Sequence, residues 1–136
     1  MTNDKNTRKD LHRFPIVPPG AGGQPLPFAK AVRAGDFVYV SGQVAMKNGE
    51  IVHGGIVDQT RLTIENIKAI LEETGCGLED VVKVNVWLDD PRDFWSFNGV
   101  FSEYFGNHPP ARSTVQSAIM VDAKIEMDVI AYKPLP

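Results

Sequence analysis

The sequence predicts a mixed α/β domain of the α+β type, in which two helices pack on one face of a single mixed β-sheet. Residues 58–74 place charged side chains every three or four positions, which is the period of a helix. Residues 80–89 alternate with the period of a strand, and two more strand-like runs close the chain. Helices are too few and too clustered for a doubly wound parallel sheet, so both are expected on one side of the sheet.

Bulk composition limits the classes of function. The chain has 136 residues, enough for one domain with a buried core, and it carries a net charge of −3. An acidic balance gives no general attraction to nucleic acids or anionic membranes, and no apolar run approaches the roughly 18 residues of a membrane span. The single cysteine, Cys76, fits a reducing compartment. We therefore expect a cytoplasmic protein with a flexible tail at residues 1–10 and one domain at residues 11–136, and with no nucleic-acid or membrane partner.

The first third of the chain predicts three strands. A short strand at His12–Val17 precedes a loop rich in proline and glycine at residues 18–27. Ala29–Arg33 and Asp36–Ser41 flank Ala34-Gly35, a pair typical of a hairpin turn. These runs predict a small antiparallel sheet at the start of the domain.

The rest of the chain alternates helices and strands. The helix at Asp58–Thr74 is expected to end at Gly75 in a left-handed conformation. Its charged stripe is expected to face solvent. A second helix should follow Asp90-Pro91, because aspartate caps helices and proline suits the first helical position. The predicted order is β-β-β-α-β-α-β-β, with the last two strands near Arg112–Ile119 and Lys124–Tyr132.

Side-chain alternation along the predicted strands assigns residues to two sheet faces. The face under the helices should hold Val38, Val40, Val82, Val84, Val86, Leu88, Val115, Ile119, Ile125, Met127 and Val129. The other face should hold Phe37, Tyr39, Ser41, Asn85, Trp87, Arg112, Thr114, Gln116, Glu126 and Asp128. Its three aromatic residues favour coverage by other subunits, with semi-polar clefts between chains. The alternative is an open sheet with one wet face.

Arg112 and Glu126 are the candidate catalytic residues. Arg112 follows two prolines at the start of a strand, where a rigidly held guanidinium can grip a carboxylate through two parallel hydrogen bonds. Glu126 can transfer protons, and the same parity adds the hydroxyl of Ser41. The alternative interpretation is a structural cross-strand salt bridge between Arg112 and Glu126. The three histidines lack the spacing of metal ligands, so no metal is expected.

Short motifs along residues 27–131 resemble, in their order and spacing, the YjgF/RidA family. They are Val40-Ser41-Gly42-Gln43, Asp58-Gln59-Thr60, Asn66, Asp80-Val81-Val82-Lys83-Val84, Asp93-Phe94, Asn98, Pro110-Ala111-Arg112-Ser113 and Ile125-Glu126. The resemblance implies a chorismate-mutase-like fold and a homotrimer with a β-barrel core and clefts between subunits. It also implies a deaminase without a cofactor that hydrolyses 2-imino acids, the tautomers of reactive enamines.

The resemblance assigns roles to individual residues. It implies that Arg112 and the backbone N–H of Thr114 hold the substrate carboxylate, while Glu126 activates or positions water. The other implied substrate-binding residues are Ser41, Gly42, Phe28 and Asn98.

Two departures from the family pattern bear on the substrate. Phe28 stands in Leu26-Pro27-Phe28 where the best-characterised deaminases have a tyrosine, and Thr114 stands where they often have a cysteine. A larger unsaturated substrate, as in 2-aminomuconate deaminases, is therefore an alternative. So is a module that binds 2-keto acids or related metabolites without turnover. A ribonuclease or translation-inhibitor role is less favoured, because the chain has neither a basic stripe nor a histidine pair.

Overall fold

A computed structural model describes residues 10–18 and 22–136. The predicted flexible tail lies outside these residues except for Asp10, and so do residues 19–21 of the predicted loop. The described residues form eight β-strands and two α-helices. They are β1 (Leu11–Pro15), β2 (Ala29–Ala34), β3 (Phe37–Gln43), β4 (Met46–Lys47), β5 (Glu50–Ile51), α1 (Ile56–Glu73), β6 (Val81–Leu88), α2 (Phe94–Phe105), β7 (Ala111–Gln116) and β8 (Ile125–Tyr132).

Six strands form one mixed sheet in the order β1-β2-β3-β8-β6-β7. The β6–β7 pair is parallel and the other pairs are antiparallel. The parallel pair arises because α2 carries the chain back between β6 and β7, as a crossover must. Strands β4 and β5 form a separate small hairpin. The predicted mixed sheet and the predicted order of the main elements are confirmed.

Both helices pack on the same face of the sheet. Ile64, Ile67 and Leu71 of α1 are fully buried in one core with Phe97 and Phe105 of α2. The sheet contributes the inward-facing aliphatic residues of its central strands: Val38, Val84, Val86, Ile125, Met127 and Val129. Helix α1 begins two residues earlier than predicted and stops before Gly75, whose φ of 87° confirms the predicted left-handed stop.

The sequence predicted that the charged stripe of α1 faces only solvent. Part of the stripe instead contacts α2. Arg61 bonds Glu103 of α2 at 2.8 Å, and the Tyr104 hydroxyl donates to Glu65 at 2.8 Å. Two charges of the stripe therefore join α1 to α2 across their exposed edge.

The predicted faces of β7 are wrong. Arg112 is paired with Val84 and Thr114 with Val86, and both valines are buried under the helices. Directly paired residues share a face, so Arg112 and Thr114 lie on the helix side. Val115, predicted to be inward, is 50% exposed on the other side. Ile119 lies beyond the end of β7.

One residue of β6 also differs from its predicted face. The pairing of β6 with β8 is irregular between Val81 and Lys83. Val81 is buried in place of Val82, which is exposed. A bulge of this kind inserts an extra residue and shifts the alternation, and the sequence carries no sign of it.

Candidate functional site

Arg112 lies over an aromatic surface formed by α2. Its guanidinium carbon is 5.7 Å from the ring centre of Phe94, 5.1 Å from that of Phe97 and 4.7 Å from that of Phe101. These distances are typical of cation–π contacts, which contribute about 0.5–2 kcal/mol. Partial burial lowers the pKa of the guanidinium, which is still charged at neutral pH. No carboxylate among the described residues pairs with it. The α2 rings therefore hold Arg112 while its N–H donors are available to an anion.

Arg112 opens into a cleft of about 510 Å³ between α2 and the start of β7. The cleft is lined by Trp95, Asn98, Gly99, Phe101, Ser102, Phe105, Gly106, Pro109 and Arg112. The structure thus brings together two of the predicted site residues, Asn98 and Arg112. The sequence-based search missed Trp95 and Gly99. Asn98 follows Trp95 by three residues and Gly99 follows it by four, so a helical projection of α2 that included Trp95 would have put these positions on one side of the helix.

Thr114 lies two residues along β7 from Arg112, on the same side of the sheet. Its hydroxyl is buried and has no hydrogen-bond partner in the described part of the chain. The backbone N–H of Ser117 donates to the carbonyl of Leu88 on β6. Because backbone direction alternates along a strand, the N–H groups of Thr114 and Arg112 point away from β6, towards the open edge of the sheet. This orientation suits the predicted use of the Thr114 N–H as a carboxylate donor.

Glu126 lies on the opposite face of the sheet, paired with Trp87 of β6. It is half-buried, and burial raises the pKa of its carboxyl above the usual value of 4.5. The neighbouring Asp128 raises that pKa further, because two negative charges on one strand face oppose each other. Asp128 itself accepts a hydrogen bond of 2.9 Å from Asn85. Glu126 therefore holds a proton more readily than an ordinary glutamate.

Gly42 lies against the Glu126 carboxylate. A Cβ built on Gly42 would collide with Oε2 of Glu126 and lie 3.1 Å from its Cδ. That close approach, and not a left-handed φ, is what favours glycine at this position, because any larger residue would displace the end of the Glu126 side chain. The predicted site residues Gly42 and Glu126 therefore belong to one local constellation.

Ser41 and Phe28 take separate positions. The Ser41 hydroxyl donates to the carbonyl of Ala29 at 2.6 Å, so it is engaged in joining β3 to the start of β2. Phe28 is exposed and lines a second cleft of about 490 Å³, formed by β1 and the segment before β2. Within one chain, Phe28 is not part of the Arg112 cleft.

The prediction that Arg112, Glu126 and Ser41 share one sheet face is wrong for Arg112. The alternative interpretation, a cross-strand salt bridge between Arg112 and Glu126, fails for the same reason. One chain instead presents two half-sites: an anion-binding cleft on the helix side and a protonatable carboxylate on the other side. Glu126 gains no lowering of its pKa from Arg112, which agrees with this separation.

Other kinds of site find little support among residues 10–18 and 22–136. No three histidine, cysteine, aspartate or glutamate side chains in these ranges converge as metal ligands. No helix in the same ranges is long and apolar enough to cross a bilayer.

Comparison with known proteins identifies the family. Residues 23–133 match the family model described as endoribonuclease L-PSP. The chain belongs to this family. It is the YjgF/RidA family that the sequence motifs indicated, and that prediction is confirmed.

Relatives within the endoribonuclease L-PSP family carry several names. A RutC family protein of Pyrococcus abyssi is 52% identical over 110 residues, covering 79% of this chain and 87% of the relative. A 2-iminobutanoate/2-iminopropanoate deaminase of Dermatophagoides farinae is 38% identical over 125 residues, covering 90% and 94%. The crystal structure of E. coli TdcF with bound serine superposes with a TM-score of 0.74 at 34% identity, covering 89% and 94%. These matches confirm the predicted fold.

Proposed function

We propose that the protein is a deaminase without a cofactor, which hydrolyses 2-imino acids to 2-keto acids and ammonia. The observation that carries this proposal is the charged Arg112 guanidinium, held by three aromatic rings in an open cleft and unpaired with any described carboxylate. A cation placed in this way needs an anion, and a carboxylate matches its paired N–H donors. The N–H of Thr114, directed to the same open strand edge, would add a third donor.

Glu126 supplies the proton-transfer group in this proposal, and it would come from a neighbouring subunit. Arg112 and Glu126 of one chain lie on opposite faces of the sheet, so they cannot meet around one small substrate. Strand β7 is an edge strand, and the other sheet face exposes aromatic and aliphatic side chains. A homotrimer with clefts between subunits would bring the half-sites of two chains together.

The reaction needs one water and returns one ammonia. Glu126 in its ionised form takes a proton from water as the oxygen attacks the imine carbon. The carboxyl gives this proton to the nitrogen, which becomes an amine. Glu126 then passes the proton of the new hydroxyl to the amine, so that the C–N bond breaks, ammonia leaves and the carbonyl of the keto acid forms. A group that alternates between base and acid works best when its pKa approaches the working pH, and the raised pKa of Glu126 moves in that direction.

Two relatives support the substrate class. One is named a 2-iminobutanoate/2-iminopropanoate deaminase, and another was crystallised with serine, a small molecule bearing a carboxylate. The competing proposal is a protein that binds 2-keto acids without turnover. Phe28 favours it, because this ring supplies no hydroxyl to a cleft.

Imine decay separates the two proposals. An amino-acid oxidase generates 2-iminobutanoate in solution, and the disappearance of the imine is followed with and without the protein. We expect acceleration by the wild type, and a loss of 100-fold or more in kcat/KM for Arg112→Ala, since a charged hydrogen bond contributes about 1.5–3 kcal/mol and two are lost. Binding of 2-oxobutanoate without any acceleration would establish the binding protein instead.

Mixing two inactive variants tests the shared site. Arg112→Ala and Glu126→Gln are each expected to be inactive alone. When they are refolded together as a trimer, about a quarter of the sites would combine an intact Arg112 with an intact Glu126 from different chains. Recovered activity supports the shared site, and no recovery from correctly assembled mixed trimers contradicts it. RNA cleavage that is lost in Glu126→Gln would favour the ribonuclease alternative.

A further inference from the structure

Trp95 is an unusual residue on α2. Trp95 is 79% exposed, although a large aromatic side chain such as indole is costly to leave in water. The ring makes one described aromatic contact, an edge-to-face contact with Phe94 at 5.2 Å. Phe94 also lies under the Arg112 guanidinium. Trp95 and Arg112 thus both line the anion-binding cleft, and each contacts Phe94.

The cleft extends beyond what a small imino acid would occupy. Its volume of about 510 Å³ lies in the range of about 300–1,000 Å³ that holds drug-sized ligands. Gly99 follows Trp95 by four residues and lies beside it on the same helix face. A Cβ at Gly99 would meet nothing within 4 Å, so the space next to the indole is open. Phe101 and Phe105 contribute further aromatic lining.

We propose that this cleft selects imino acids whose side chain is flat, aromatic or conjugated, and that Trp95 is the residue that determines this selectivity. The inference rests on the proposed deaminase function and names its substrate class. With the carboxylate on Arg112, the substrate side chain would extend over the α2 surface towards Trp95. A planar π-system can stack on the indole, whereas a methyl or ethyl group leaves the indole in water.

Matched substrates test the role of the indole. We compare kcat/KM for imines generated from phenylalanine, from cyclohexylalanine and from 2-aminobutanoate. The first two have similar size, and only the first has a planar side chain. We expect the wild type to favour the phenylalanine imine. Trp95→Leu should lower kcat/KM for that imine about three- to tenfold more than it lowers kcat/KM for the 2-aminobutanoate imine, because one aromatic stacking contact is lost.

Two further variants separate stacking from folding. Trp95→Phe keeps an aromatic face and should retain most of the preference. A Cβ at Gly99 meets nothing within 4 Å, and leucine is a better helix former than glycine, so Gly99→Leu should fold and should exclude the aromatic imine selectively. Equal losses on all three imines, or a change in solution mass for Trp95→Leu, would overturn the inference by showing a general or a subunit-contact role.

Binding of keto acids tests the same selectivity in the absence of turnover. Phenylpyruvate and 2-oxobutanoate are titrated into the wild type and Trp95→Leu by calorimetry. Tighter binding of phenylpyruvate that is reduced by Trp95→Leu supports the selectivity even without turnover. Equal binding of both keto acids, or equal binding by both proteins, overturns it whatever the outcome for imine hydrolysis.

Discussion

The raised pKa of Glu126 predicts how the proposed activity depends on pH. Its pKa is raised above 4.5 by burial first and by Asp128 second. In the proposed reaction the ionised form is the base, so kcat/KM should rise with pH through an apparent pKa that lies above the ordinary glutamate value. Asp128→Asn removes the neighbouring negative charge and should move the rise of kcat/KM to lower pH. The profile is measured after subtracting spontaneous imine hydrolysis, and an unchanged profile in Asp128→Asn would contradict the assignment.

The same pKa shift has a cost in stability. Because the folded state raises the pKa, the protonated carboxyl is favoured by folding, and stability is lost as the pH rises through the folded pKa. Glu126 is therefore a residue whose position is explained better by chemistry than by folding. A strand residue chosen only for stability at neutral pH would avoid a second carboxylate at Asp128 on the same face.

Gly42 tests whether the position of the Glu126 carboxylate matters. In Gly42→Ala the new methyl group would displace the end of a flexible side chain rather than backbone, so folding should change little. Activity should fall by about 10- to 100-fold, since small displacements of a catalytic group are costly. Gly55→Ala is the control, because a Cβ there meets nothing within 4 Å. A large drop in melting temperature for Gly42→Ala, with activity retained, would contradict this interpretation.

At the scale of elements, α1 offers a matched pair of buried threonines. Thr60 is fully buried and its hydroxyl has no partner among the described residues, whereas the Thr63 hydroxyl donates to the Gln59 carbonyl at 2.7 Å. An unpaired buried hydroxyl costs about 1–3 kcal/mol. Thr60→Val should therefore raise the free energy of unfolding by about 1 kcal/mol in a urea titration. Thr63→Val should give no such gain, and equal effects of the two variants would refute the argument.

The sequence predicted elements better than it predicted faces. Three local signals were strong, and the structure agrees with each of them. They are the charge period of α1, the aliphatic alternation of Val84 to Leu88 and the stop at Gly75. Strand β7 has no such signal, because Val115 is its one large aliphatic residue. Val115 and Ile119 suggested the inward face, but Ile119 lies beyond the end of the strand. The rings of α2 instead cover Arg112, and a cation–π surface of this kind appears only when a helix and a distant strand are packed together.

At the scale of the molecule, the wrong face assignment of β7 explains why the site was only partly predicted. Arg112 and Glu126 could be selected from residue type and local context, and Asn98 is found with Arg112 in one cleft. Their mutual geometry depends on strand pairing between β6, β7 and β8, which is not encoded in any one motif. Because the two half-sites lie on opposite faces, a single chain holds only part of the site that the proposed deaminase function needs.

The exposed sheet face supplies the last test. Tyr39 lies at its centre, paired with Val32 and Ile130, and is 47% exposed. An aspartate there would be buried without a partner if other subunits cover this face. Wild type should have about three times the chain mass of 15.0 kDa, and Tyr39→Asp should be a folded monomer without deaminase activity. Val57→Asp is the control: Val57 is 42% exposed on the first turn of α1, where a negative charge suits the helix dipole, so mass and activity should be unchanged. A monomeric wild type that still hydrolyses imines would contradict the shared site, because Arg112 and Glu126 of one chain are separated by the sheet.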